Sequence, residues 1–309
     1  MGYLVDAVSL DEKKSGLPKV NFIRADLSNL TVLKEMLTQN YDGIVDFMIY
    51  RSERLPYVLP LFLSSTDHYI YLSSYRIYAD LEYPVREESP RLIDASEDVL
   101  LRNSDDYCIF KARGENIVRS ISPRKNWTII RPAITYSLMR YQLVTLEAHD
   151  TVGRAFTHRK VVLPEQAKNV DATMSWAGDA AQMISLLLFN EKARGETFSI
   201  TTSEHHTWGE IAEYYRQICG LEAVWVDKEE YLKILCSDPY VHGPRWQLEY
   251  DRLFRRIMDN SKVLAATGLS QSDLKPLYDG LELEISRCPK DFPWNPSPAM
   301  DSFLERNHL

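Results

Sequence analysis

The first half of the chain alternates short apolar runs with amphipathic segments. Strands are predicted at residues 3–8, 20–23, 43–48, 69–72 and 127–130, and helices at 28–37, 55–64 and 107–119. β-rich runs separated by helices of this length are typical of a parallel sheet that helices cover on both faces. The pattern therefore predicts a doubly wound α/β fold, which is Rossmann-like.

The second half has a less regular pattern. Residues 136–168 show no clean period, whereas a helix at 177–189 and a strand at 197–200 resume the α/β alternation. Thr207 and Glu210 have the spacing of a capping box, which begins a helix that ends at Gly220. A strand is predicted at 223–226 and helices at 250–258 and 260–267. We expect a sheet domain of residues 1–135 to which 170–200 returns, and a smaller α+β substrate lobe of residues 136–169 and 201–309.

Glycines are scarce and widely spaced. The chain has 12 in 309 residues, and no two are closer than eleven positions. A loop that cradles phosphates needs glycines about two to five residues apart, so that bare backbone N–H groups can approach the phosphate oxygens. The two common glycine-rich phosphate motifs are therefore absent from this sequence.

Charge and apolar patterning argue against several kinds of partner. The 36 basic and 44 acidic residues give a net charge of −8, which repels nucleic acid. The sequence contains no run of about 18 apolar residues, which is the length that could span a membrane. His205 and His206 are adjacent but lack a third ligand at a suitable spacing. We expect a cytoplasmic protein with no membrane association and no metal, for which nucleic acid is an unlikely partner.

Tyr107 and Lys111 form a Tyr-x-x-x-Lys pair on a predicted helix. Residues four apart lie on one helix face, so the ammonium group can sit near the phenol and lower its pKa. Such a tyrosine can give or take a proton near neutral pH. The pair alone is weak evidence, because a half-buried tyrosine beside a surface lysine has the same spacing.

Two neighbouring segments strengthen this interpretation. The strand at 69–72 ends in Ser73 and Ser74, and the carboxyl ends of strands are where doubly wound folds bind ligands. A serine there could hydrogen-bond the substrate oxygen on which Tyr107 acts. The strand that leads into Arg131 and Pro132 would end beside the same helix. Three elements thus converge on one edge of one sheet.

These segments together resemble the extended short-chain dehydrogenase/reductase superfamily, specifically its NAD-dependent epimerase/dehydratase branch, which acts mostly on nucleotide sugars. The segments that carry the resemblance are residues 25–27, 45–50, 72–78, 107–111 with Glu115, 131–134, 176–181 and 259–262 before Gly268. Their order and approximate spacing match the family between about residues 3 and 270.

The resemblance implies a role for each matching position. Ser74 would be the catalytic serine, Tyr107 the general acid/base, and Lys111 the residue that binds the nicotinamide ribose and tunes the tyrosine. The implied reaction is reversible hydride transfer between a sugar carbon and NAD or NADP. A homodimer through the helix of Tyr107 is a further implication. The implied cofactor contacts are Asp26 and Leu27 at the adenine, Met48, Ile49, Tyr50 and Ser73 along the ribose and phosphates, and Pro132, Ala133 and Ile134 at the nicotinamide.

One part of the family pattern is missing. The family begins with a strand, a glycine-rich turn and a helix before the segment that corresponds to residues 3–8, and its first strand lies between the second and fourth in the sheet. Their absence would open a slot in the sheet and remove the helix N-terminus that holds the pyrophosphate. We therefore expect an N-terminally truncated version of the fold, in which NAD(P) binding is doubtful.

The sequence leaves the substrate and the activity open. Arg140 and Arg154 could clamp a diphosphate, and Trp246 and Tyr250 could stack on a base or a sugar. Each could equally be a packed residue of the smaller lobe. Besides an epimerase/dehydratase-type enzyme, the sequence is compatible with a non-catalytic binding or regulatory protein of this fold, or with a small-molecule reductase on the same scaffold.

Overall fold

A computed structural model describes residues 2–14, 16–121, 124–236 and 242–309 of the chain. The strands are β1 (Val5–Ser9), β2 (Val20–Arg24), β3 (Tyr41–Asp46), β4 (Thr66–Leu72), β5 (Trp127–Pro132), β6 (Ile134–Tyr136), β7 (Val161–Pro164), β8 (Asp171–Ala172), β9 (Met174–Trp176), β10 (Glu196–Ile200), β11 (His206–Thr207) and β12 (Ala223–Val226). The helices are α1 (Leu30–Leu37), α2 (Leu55–Ser64), α3 (Leu92–Ala95), α4 (Val99–Asn103), α5 (Tyr107–Ile121), α6 (Val152–Phe156), α7 (Ala177–Leu187), α8 (Trp208–Cys219), α9 (Lys228–Leu235), α10 (His242–Gln247), α11 (Ser261–Thr267), α12 (Leu277–Ser286) and α13 (Pro298–Arg306).

Four parallel strands form the central sheet, in the order β10-β5-β4-β3. Successive side chains of a strand point to opposite faces. In β4, Tyr69 and Tyr71 are therefore buried against α1, α2 and α5, whereas Ile70 is buried with residues of α7 and α11 on the other face. Apolar side chains and helices cover both faces of the sheet, and the predicted doubly wound α/β architecture is confirmed.

A break separates this sheet from the first two strands. β1 and β2 pair with each other in parallel, and neither pairs with another strand among the described residues. The hydroxyl of Tyr41, at the start of β3, donates a hydrogen bond of 2.8 Å to Oδ2 of Asp6 in β1. A long side chain, rather than a backbone ladder, thus connects the two sheets. The sheet is interrupted between β1 and β3, where the sequence predicts a slot.

The elements after β5 other than α7, β10 and α11, together called the second lobe here, contribute to an apolar cluster that unites β7, α8, α12 and α13 and also includes residues of the segment after β4. Its strands pair as β12 with β7, β6 with β9, and β11 with β8. The predicted capping box of Thr207 and Glu210 is present at the start of α8. Gly220 ends that helix with a φ of +76°, in the left-handed region that glycine tolerates best. α11 packs on α7 and β10, so the sheet domain includes a helix from beyond residue 200.

The helix predicted at residues 250–258 is wrong. α10 ends at Gln247, a single wide turn spans Leu248–Arg252, and no regular structure continues to Met258. The reason is tertiary: Arg252 Nε donates to Val144 O, and the backbone N–H of Arg256 donates to Asp171 O at 2.8 Å. The Arg256 N–H therefore does not donate to Arg252 O, as it would in a continuous helix.

Within the described parts of the chain, every helix is too short or too polar to cross a bilayer.

The close approach of α5 to β4 yields a first prediction. A Cβ added at Gly114 would lie 2.1 Å from the Tyr71 hydroxyl oxygen and 3.0 Å from Leu55 Cδ2. We predict that Gly114→Ala lowers the free energy of unfolding by about 1–3 kcal/mol despite the better helix propensity of alanine. Urea unfolding followed by circular dichroism measures this change.

Ser120→Ala is the matched control, because Ser120 is exposed on the same helix. It should change the free energy of unfolding by no more than about 0.5 kcal/mol. Equal stability of the Gly114→Ala variant and the wild type would contradict the close packing of α5 on β4.

Candidate active site

A buried ion pair connects α5 to the carboxyl ends of β4 and β5. Arg131 donates from Nε to Glu115 Oε1 at 2.7 Å and from Nη2 to Oε2 at 2.6 Å. The hydroxyl of Ser73 donates to the same Oε1 at 2.6 Å. Burial alone would raise the pKa of Glu115, but the charge and hydrogen bonds of Arg131 hold it below its usual value. Glu115 is therefore a buried carboxylate with its acceptors satisfied.

The same guanidinium extends the network across the sheet. Arg131 Nη1 donates to the Tyr78 hydroxyl and to Glu87 O, both at 2.7 Å. The Tyr78 hydroxyl lies 3.2 Å from Ser199 Oγ in β10. The ends of three neighbouring strands and the segment after β4 are thus held together by one side chain.

Ser74 lies at the end of β4, where the strand turns into a short 3₁₀ helix. It is 6% exposed, and its Oγ accepts a hydrogen bond of 3.2 Å from the backbone N–H of Arg76. This contact is an N-cap, which the sequence Ser-Tyr-Arg forms because serine oxygen satisfies an orphan N–H there. The cap uses only the oxygen of Ser74, so its hydroxyl can still donate a hydrogen bond.

Tyr107 is the first residue of α5, and its phenol lies beside Ser74. Burial raises the pKa of Tyr107 above its ordinary value, while the hydrogen bond with Ser74 and the guanidinium groups of Arg76 and Arg140 oppose that rise. Sequence reasoning expected a lowered pKa set by Lys111. The structure corrects this expectation: burial outweighs the nearby cations, and Arg76 and Arg140 are the cations with the largest effect.

Lys111 lies one turn further along α5 and is almost fully buried. Its Nζ donates to Leu72 O, at the end of β4, at 2.6 Å, and is 5.8 Å from the centroid of the Tyr107 ring. Burial lowers the pKa of Lys111 to about 8, although Asp46 and Glu115 oppose this. Ser74, Tyr107 and Lys111 therefore meet at the carboxyl end of β4.

The end of β3 borders this group of residues. Asp46 is buried, accepts a hydrogen bond of 2.7 Å from the Tyr69 hydroxyl, and accepts another of 2.9 Å from the Met48 backbone. The turn that follows carries Met48, Ile49 and a buried Tyr50, and Ile49 is 61% exposed. Sequence reasoning did not single out Asp46; an acidic residue inside an apolar strand was the available signal.

The remaining predicted cofactor residues occupy two places. Asp26 is exposed after β2 and accepts a hydrogen bond from the Ser28 backbone at 2.9 Å, and Leu27 packs against the core beside α1. Ala133 and Ile134 are buried after β5, where Pro132 ends the strand. Pro132, Ala133 and Ile134 lie on the same side of the sheet break as Tyr107. Asp26 and Leu27 lie on the other side of the break, after β2.

Of the predicted substrate residues, only Arg140 has an electrostatic effect on Tyr107. Arg154 is fully buried and bound to Lys160 O and to Asp301 of α13, so it is a structural residue of the second lobe and is not available to clamp a diphosphate. Trp246 and Tyr250 pack against an apolar cluster to which α3, α4 and α5 contribute, and the Tyr250 hydroxyl donates to Asp98 at 2.9 Å.

One opening in the structure lies away from these residues. A cavity of about 710 Å³ in the second lobe is lined by Phe156, Lys160 and Glu222 among others, and it includes none of the residues described above. Within the described residues, no cluster of three or more His, Cys, Asp or Glu side chains could hold a metal ion. The candidate site is therefore identified by the side chains of Ser74, Tyr107 and Lys111 and not by the volume of a cavity.

Comparison with known proteins supports the fold. No protein-family model matches the sequence, and no curated protein matches it. Among solved structures, an epimerase from Methanothermobacter thermautotrophicus has a TM-score of 0.64 and 12% identity over 88% of this chain and 79% of that chain. UDP-glucuronic acid 4-epimerase from Bacillus cereus, in complex with UDP-glucuronic acid and NAD, has a TM-score of 0.62 and 16% identity over 88% and 82%.

A dTDP-glucose 4,6-dehydratase from Bacillus anthracis, in complex with NAD, has a TM-score of 0.64 and 18% identity over 92% of this chain and 84% of that chain. At these identities the likeness concerns the fold. The chain has the Rossmann-like α/β fold of these epimerases and dehydratases.

The lowered pKa of Lys111 yields a second prediction. At pH values between the folded pKa of about 8 and the ordinary pKa of 10.5, Lys111 keeps its proton in the unfolded chain but has released it in the folded chain. Raising the pH through this window therefore stabilises the folded state, and the effect is absent below about pH 8. We predict that wild type gains stability relative to Lys111→Met as the pH rises above 8, which urea unfolding at each pH measures.

Lys192→Met is the control, because Lys192 is exposed. Its stability difference from wild type should be independent of pH over the same window. A pH-independent difference for Lys111→Met would mean that Lys111 titrates as an ordinary lysine.

Proposed function

We propose that this chain is an NAD(P)-dependent oxidoreductase of the epimerase/dehydratase kind, which acts on a nucleotide sugar or a related small molecule. The observation that carries the proposal is the meeting of Ser74, Tyr107 and Lys111 at the carboxyl end of β4. In a doubly wound sheet this is the edge at which ligands bind. The fold shared with epimerases and dehydratases supports the same reading.

The described residues fit one end of the cofactor better than the other. The Lys111 ammonium has three N–H groups and uses one on Leu72 O, so two remain for the hydroxyls of a ribose. Phe47 and Ile49, in the turn after β3, offer exposed apolar surface. Fewer groups are available to bind the diphosphate of the cofactor, because the sequence has no glycine-rich turn and the sheet is broken between β1 and β3.

Tyr107 would move the proton in this reaction. In the oxidising direction, the substrate hydroxyl gives its proton to the Tyr107 phenolate, and Ser74 donates a hydrogen bond that holds the same oxygen. Arg76 and Arg140 stabilise the phenolate by their charge. The chemistry that NAD(P) would supply when bound is the reversible acceptance of a hydride from the carbon that bears this hydroxyl. Homodimerisation through α5 remains part of the proposal.

A non-catalytic binding protein of the same fold is the second candidate. The observation that favours it is the interrupted sheet, which separates Asp26 and Leu27 after β2 from the Tyr107 edge. A protein that does not bind NAD(P) has no need of a continuous cofactor groove. Cofactor binding therefore distinguishes the two candidates.

Fluorescence titration with NADH and with NADPH tests the proposal. We predict saturable binding of at least one of them by the wild type, and about tenfold weaker binding by Lys111→Ala, because hydrogen bonds from a charged group to the ribose are lost. Lys192→Ala should bind like the wild type.

Binding of neither reduced cofactor by a folded wild-type protein would overturn the oxidoreductase proposal and support the non-catalytic one. Equal affinities of the Lys111→Ala variant and the wild type would remove Lys111 from the cofactor site.

A further inference from the structure

Three arginines share one buried carboxylate next to the candidate site. Arg252 Nη1 donates to Asp251 Oδ2 at 2.6 Å, Arg76 Nε lies 3.3 Å from the same oxygen, and Arg256 Nε lies 3.7 Å from Oδ1. Asp251, Arg252 and Arg256 are at most 4% exposed. Positive charge therefore exceeds negative charge in this cluster.

The other two arginines of the cluster have structural partners. Arg252 also binds Val144 O and the Tyr75 hydroxyl. Arg256 Nη2 donates to Tyr78 O at 3.1 Å, and its guanidinium lies over the Tyr75 ring. Both side chains fix the segment after β4 to the second lobe.

Arg76 differs from them, because its guanidinium faces Tyr107. Its Cζ lies 5.3 Å from the centroid of the Tyr107 ring, and its backbone N–H donates a hydrogen bond to Ser74 Oγ. The side chain is 15% exposed and lies 3.8 Å from Asp106. Its Nε is buried without a hydrogen-bond partner among the described residues. Arg76 is thus held by its ion pairs with Asp106 and Asp251, its side chain makes no hydrogen bond within the described residues, and its guanidinium lies over the ring of Tyr107.

We propose that Arg76 binds a carboxylate of the substrate, carried on the sugar ring close to the carbon that reacts at Tyr107. This inference rests on the proposed function and narrows its substrate to an acidic nucleotide sugar. A guanidinium presents a planar pair of N–H donors that matches a carboxylate. A ligand carboxylate would accept from the Nη groups of Arg76, which make no hydrogen bond within the described residues, and would offset the excess positive charge of the cluster.

Two features favour a carboxylate over the diphosphate of the same substrate. Asp106 and Asp251 flank Arg76, and their charges repel a dianionic group more strongly than a singly charged one. Arg140, which is exposed and acts on Tyr107 from outside, leaves a second cation for the more distant diphosphate.

Calorimetric binding of UDP-glucuronic acid and UDP-glucose, each with reduced cofactor present, tests the inference. These sugars differ in the carboxylate, so the ratio of their dissociation constants isolates it. We expect the wild type to bind the acidic sugar about tenfold more tightly or better, as a charged hydrogen-bonded pair allows. Arg76→Gln should abolish this preference, because the affinity for UDP-glucuronic acid falls to about that for UDP-glucose.

Arg86→Gln is the control, because Arg86 is an exposed residue of the same segment that pairs with Asp259. It should keep the preference of the wild type. Equal binding of the two sugars by the wild type would overturn the inference, and this comparison needs no variant. Equal weakening of both sugars by Arg76→Gln would also overturn it, because Arg76 would then only position Tyr107.

The outcomes separate the inference from the proposed function. Tight binding of UDP-glucose without a preference for the acidic sugar refutes the role of Arg76 and leaves the proposed function standing. Binding of reduced cofactor with no binding of either sugar refutes the nucleotide-sugar substrate, and the inference fails with it.

Discussion

The buried pair of Glu115 and Arg131 is the interaction on which the geometry of the site depends. Two hydrogen bonds join these side chains in the interior, and Ser73 and Tyr78 add contacts from the segment after β4. Tyr107, Lys111 and Glu115 follow one another at intervals of four residues along α5, so they lie on one face of the helix. Fixing Glu115 to the strand ends therefore also fixes the two residues nearest the chemistry.

Burial then gives these residues unusual proton affinities. It lowers the pKa of Lys111 to about 8 and raises the pKa of Tyr107. A tyrosine that is harder to ionise needs neighbouring cations and donors to act as a base, and Ser74, Arg76 and Arg140 supply them. In the free protein Lys111 is directed to the end of β4 rather than to the phenol. In the proposed function, the Lys111 ammonium is therefore better placed to bind a ribose than to lower the pKa of Tyr107.

Local patterns were enough to predict most of the sheet and part of the site. Alternating apolar runs indicate the order of strands and helices, and the capping box of Thr207 and Glu210 depends only on residues three apart. Contacts between distant residues were not predictable in this way. The sequence pattern allows Arg154 to bind a diphosphate, but its partner Asp301 lies 147 residues further along the chain, so local patterns give no sign of this ion pair. Arg76 had no sequence signal of its own beyond following Ser74 by two positions, and its position over Tyr107 results from packing between α5 and the second lobe.

Hydride transfer is the central claim, and an isotope measures it directly. The wild type would be incubated with the keto form of a nucleotide sugar, whose carbonyl can accept a hydride, and with reduced cofactor that carries deuterium on the transferable position, and the sugar would be analysed by mass spectrometry. The account predicts deuterium in the sugar with the wild type and at least about a hundredfold less with Tyr107→Phe, which lacks the acid/base group. Bound cofactor and bound sugar with no deuterium transferred, or equal transfer by the Tyr107→Phe variant, would contradict it.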